Sequence, residues 1–150
     1  MKNLKVLVGL LVFAFVFQGC TQRIGDFTLI STKNVEIGGK YKMVKRAEGE
    51  DKTFMFFFPF GMPNLKTAVD RCIENGAGDL LTNSVINFTN PILIGPFGYG
   101  VTGDVWAKAT VGDLMNGDIE LYDLRAGVHG LELISLKDQA KHIDVAYIGR

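Results

Sequence analysis

Cysteine and histidine are scarce in this chain, with two of each among 150 residues. Cys20 and Cys72 allow at most one disulfide, which excludes a stapled mini-scaffold. His129 and His142 stand far from any cysteine, and the acids near them are scattered, so no set has metal-ligand spacing. Asp26, Asp79 and Asp104 each neighbour a glycine, but no EF-hand loop is present, and turn capping is the expected role. There is no G-x-S-x-G elbow and no G-K-[ST] phosphate loop. Sixteen basic residues balance sixteen acidic ones, and no basic run forms a polyanion-binding stripe, so no nucleic-acid partner is expected. The residues provide no nucleophile-base pair, metal set or cofactor loop. The expectation is a non-enzymatic protein with no cofactor and no metal.

What is present begins at the amino terminus. Lys2 and Lys5 precede an uncharged apolar run over residues 6–17, followed by Gln18-Gly19-Cys20. That run is too short to cross a bilayer comfortably, whereas a positive start, an apolar stretch and a small residue before the cut describe a secretory signal. A cysteine directly after the small residue resembles the lipobox of bacterial lipoproteins. The resemblance implies removal of residues 1–19, a palmitate-type lipid on Cys20, and a membrane partner through that anchor. Thr21, in place of aspartate, implies the outer membrane, with the domain facing the periplasm. Residues 1–19 hold two cations and no acid, so the remainder carries a net charge of −2. Its length suits one domain, expected over 26–150 after a polar tether at 20–25. Cys72 is then the sole thiol left, and a buried hydrophobic role is expected for it.

One helix is predicted from periodicity. Leu65, Ala68, Val69, Cys72 and Ile73 recur at i, i+3, i+4, i+7 and i+8, with Lys66, Thr67, Asp70, Arg71 and Glu74 on the opposite face. Asn64 is the expected N-cap, and Gly76 the left-handed residue that ends the helix. Strands are expected at 27–32, at 40–46, and at 53–60, where Thr53-Phe54-Met55-Phe56-Phe57-Phe58-Pro59-Phe60 reads as a core strand covered on both faces. Residues 48–52 read as a charged turn. Pro59 should mark the end of pairing or an edge. A strand over 80–88 completes a β-helix-β unit, whose crossover would be right-handed were the strands parallel neighbours. Residues 101–111 alternate with a period of two. Three strand candidates, 119–124, 131–136 and 143–148, make residues 112–150 a β-rich tail. The fold class expected is α/β (α+β): a small sheet with one amphipathic helix, about 64–75, on one face.

Two segments carry a wider resemblance. Gly25-Asp26 with Ser31-Thr32-Lys33-Asn34, and Gly76-Ala77-Gly78-Asp79-Leu80-Leu81, resemble the start and the helix-to-strand turn of small bacterial lipoproteins called TRL-like, after a tRNA-associated locus. The likeness covers roughly residues 20–110, and that group more often has glycine where Ala77 stands. It implies an envelope protein and brings no activity with it.

For contact with a partner, Phe97 and Tyr99 are the candidates, on a glycine-proline loop at 95–100, where binding residues concentrate. Trp106, on the more polar face of its strand, is a third. The function expected is a lipid-anchored envelope protein working by contact with another envelope component. The alternative is a small-molecule or metal binding module accessory to an envelope transporter.

Overall fold

The computed structural model describes residues 9, 10, 13, 19–127 and 130–147. The expected signal segment lies almost wholly outside the described residues, as does His129. The strands are β1 (Gly19–Ile30), β2 (Lys40–Phe56), β3 (Phe58–Pro59), β4 (Leu80–Pro91), β5 (Ile94–Lys108), β6 (Tyr122–Ala126), β7 (Gly130–Ser135) and β8 (His142–Tyr147). Helices α1 (Leu65–Asn75) and α2 (Val111–Met115) accompany them, and residues 9, 10 and 13 are also helical. All strands join one antiparallel sheet in the order β1-β4-β5-β2-β6-β7-β8, with β3 paired to β2. The fold is therefore mainly β, which bears out the α/β (α+β) expectation only in part, while the long helix packed on the sheet is as expected.

α1 forms where the apolar stripe places it. Asn64 caps it by accepting from the Lys66 amide at 2.8 Å. Ala68, Val69, Cys72 and Ile73 are buried against Ala47 of β2, Leu81 and Ile86 of β4, and Val101 and Val105 of β5. The strands flanking α1 are not neighbours, because β5 lies between β2 and β4, antiparallel to both. Leu81 and Ile86 differ in parity yet share the helix face. A bulge shifts the β4–β5 register between Thr82 and Val85, with Asn83 at φ 47°.

The opposite face holds a second core. Tyr41, Leu80, Trp106, Tyr122, Leu124 and Leu133 are buried there, with Leu29 of β1 and Ile143 of β8 packed against them. The tail thus belongs to the same sheet. β1 and β8, its two edges, come within 8 Å between Cα atoms, so the sheet curls around this second core.

β2 differs from its sequence reading. It runs unbroken through residues 48–52, expected as a turn, with Glu48, Glu50 and Lys52 on its exposed face. Gly49, facing the other way, lies under α1: a Cβ there would stand 2.1 Å from the Cys72 amide nitrogen and 2.3 Å from the Ala68 carbonyl oxygen. Helix and strand meet backbone to backbone at this point, which only glycine permits.

Candidate functional site

Cys20 is exposed and lies at the start of the edge strand β1, opposite Asn90 of β4. Residues 20–25, expected as a tether, are ladder-bonded strand up to a bulge between Arg23 and Gly25. An acyl group on this sulfur would thus be joined to a rigid sheet rather than to a loose linker. Cys20 helps to line a recess of about 800 Å³, whose other walls include Gln22, Met55, Phe88, Asn90 and Ile92. Four strand ends meet here: the start of β1, the end of β2, the end of β4 and the start of β5. None of residues 19–22, 53–65 or 80–103 is aspartate, glutamate, lysine or arginine. From the Cys20 row outward this end of the sheet carries no formal charge, and Lys52 stands one row behind it, level with Thr21.

The aromatic run at 53–60 is here too, and it is not core. Phe54, Phe56, Phe57, Phe58 and Phe60 are all exposed. β2 ends at Phe56, the chain reverses through Phe57 at φ 59°, and Phe58–Pro59 pairs back onto Met55–Phe56. Pro59 closes the short edge strand, as its missing N–H requires. The core expectation fails because nothing among the described residues covers the exposed face of the hairpin. Phe56 and Phe57 meet edge to face, 5.0 Å between ring centroids.

Of the three expected contact residues, Phe97 and Tyr99 lie at this end, on the strand beside Phe88, and Trp106 lies towards the other end of β5. The 95–100 segment is strand rather than loop, paired to β2 on one side and over 98–100 to β4 on the other. Gly98 (φ 148°) reflects close approach, since a Cβ there would stand 2.3 Å from the Asp51 carbonyl oxygen. Phe97 and Tyr99 are half-buried, each ring packed on Phe88, at 5.2 and 4.9 Å. Trp106 is 2% exposed, donates Nε1–H to Thr82 Oγ1 at 2.9 Å and abuts Tyr122 edge to face. Its face of β5 is polar further along, but β6 to β8 cover it at this end.

The two segments that carry the lipoprotein resemblance meet in space. Ser31 Oγ donates to the Asp79 carbonyl at 2.9 Å, and Lys33 Nζ donates to the Gly78 carbonyl at 2.8 Å. Asp79 in turn accepts from the Lys108 amide at 2.9 Å. A cation at the end of α1 suits the helix dipole. This node ties the β1–β2 connection to the turn after α1 and on to β5. It is a structural clamp, with its polar atoms engaged in holding backbone.

Several titratable groups outside this end are paired or buried. Burial pushes the Cys72 thiol up to about 11, so it stays protonated, with Sγ 3.3 Å from the Ala47 carbonyl oxygen. Lys42 beside Asp113, together with the Thr110 amide and hydroxyl, lowers that carboxyl to about 2. Asp26 pairs with Arg23, and Asp104 with Arg46. His142 is exposed. Among the described residues no three of His, Cys, Asp and Glu come together as a metal site, and no helix is long and apolar enough to cross a membrane. Comparison of the chain with protein families, with curated proteins and with solved structures finds no match.

Proposed function

We propose that this is a lipid-anchored protein of the bacterial envelope, of the TRL-like kind, that acts by contact and not by catalysis. Residues 1–19 are its signal, Cys20 carries the lipid, and the domain stands on the outer membrane facing the periplasm. The observation that carries this reading is the placement of Cys20. It follows a signal-like apolar run, it is exposed, and it lies at the one sheet end whose strands are free of charged residues. Acyl chains leaving that sulfur meet no formal charge of the same sheet end. A contact role fits side chains that are spent on packing, clamping and ion pairs. Of the three candidate contact residues, Trp106 is closed off inside the fold, while Phe97 and Tyr99 are half-buried and keep part of their rings at the surface.

The test is metabolic labelling with a palmitate analogue. The wild-type protein should label and fractionate with outer membrane. Cys20→Ser should lose the label and remain unprocessed or become soluble. A Cys20→Ser protein that still labels and sediments with membrane overturns the anchor.

A further inference from the structure

We infer that the β2–β3 hairpin tip and the β4–β5 turn insert into the surface of the same bilayer that holds the Cys20 lipid, a second attachment that fixes the domain's orientation. This rests on the lipid-anchor reading above and adds to it a surface that the lipid alone does not require. Phe58 is 79% exposed, Phe60 75%, Met62 85% and Ile92 62%. A contiguous exposed apolar patch on a small domain marks a contact surface, and rings at the tip suit the boundary between headgroups and acyl chains.

Three observations choose lipid as the occupant. The first is position: Met55 and Ile92 line the same recess as Cys20, so the patch and the acyl attachment share one end of the molecule. The second is charge. The nearest ionisable side chains along the strands are Arg23 on β1 and Lys52 on β2. Lys52 is four residues behind Phe56, about 13 Å at strand rise. Interfacial elements bury their apolar face about 5–10 Å into this boundary, so Lys52, paired with Glu50, and Arg23, paired with Asp26, stay behind the buried layer. The third is backbone strain. Phe57 holds φ 59°, a region that a bulky residue rarely occupies and that persists where surroundings or function require it. The reversal it makes sets Phe56, Phe57 and Phe58 facing solvent together.

With β1 ladder-bonded from Cys20 onward, lipid and tip are held by one rigid sheet. Two attachments at separate points fix a direction, whereas one alone permits swivelling. The strands then stand across the membrane surface, with the second core and β6 to β8 directed away from it.

The experiment places a tryptophan at the tip. Full-length lipidated Phe58→Trp is purified from membranes and reconstituted into phosphatidylethanolamine–phosphatidylglycerol vesicles. Its emission is read against wild type, whose single Trp106 is buried, with acyl-brominated lipid and with aqueous iodide as quenchers. The expected result is a blue-shifted tip signal that brominated lipid largely removes and iodide spares. A tip signal open to iodide and untouched by brominated lipid, in protein that floats with the vesicles, overturns the inference. Shielding from both quenchers, with a cross-linked dimer, overturns it in favour of a second copy on the patch. Mass spectrometry of Cys20 separates the two claims. An unacylated Cys20 refutes the anchor, and quenching by brominated lipid in that same protein still supports the tip.

Discussion

Ala77 holds φ 55° on the exposed turn after α1, and its amide donates to the Glu74 carbonyl at 2.9 Å. A left-handed backbone costs an L-residue about 1–2 kcal/mol, whereas glycine's extra unfolded freedom costs about 0.5–1. The first term wins, so Ala77→Gly should stabilise the domain by about 0.5–1 kcal/mol, seen as a melting point a few degrees higher. A lower melting point would show that the turn is not strained. Gly76, predicted as the left-handed residue, has φ −81° and is needed for space instead: a Cβ there would stand 2.3 Å from Val105 Cγ2. A glycine next to a helix end carries both meanings in sequence, and only the packed neighbour tells them apart.

The α1 face gives a sharper test at the level of an element. Val69 is buried, and an unpaired carboxylate there costs several kcal/mol against a total stability of about 5–15. Val69→Asp should therefore lose its cooperative melt. Arg71 points outward yet reaches β2, with Nη1 2.6 Å from the Glu50 carbonyl and 2.8 Å from Asp51 Oδ1. Half-exposed pairs are worth at most about 1 kcal/mol, so Arg71→Ala should fold with a slightly lower melting point. Equal melting temperatures for the two variants would refute the helix orientation. At α2, Asp113 closes a capping box with Thr110 and binds Lys42. Its carboxyl, normally near 3.8, is held at about 2, so its contribution is full above about pH 4 and is lost as pH falls towards 2. Asp113→Asn should melt below wild type at pH 6, and the gap should close on acidification; a gap unchanged at pH 2 would show that the ion pair is not the cause.

For the whole molecule, what could be read in advance followed from local patterns. α1 obeys a 3.6-residue period, and the three tail strands obey composition and turns, so both were legible. Pairing was not, because the insertion of β5 between β2 and β4 depends on residues far apart in sequence. The charges at 48–52 resembled a turn because Gly49, a packing glycine, interrupted them. The aromatic run read as core because sequence cannot show that a strand outruns its cover, and Trp106 read as exposed because its cover comes from β6 and β7. Cys20 was legible as chemistry but not as the start of a strand. That placement has a mechanical consequence. Antiparallel ladder bonds lie across the strands, so a pull on the anchored end runs at right angles to every bond between β1 and β4. The row from Cys20–Asn90 to Ile30–Leu81 would bear such a load in shear, all bonds together, instead of unzipping one at a time. A load applied through Cys20 would therefore meet the domain along its strongest direction.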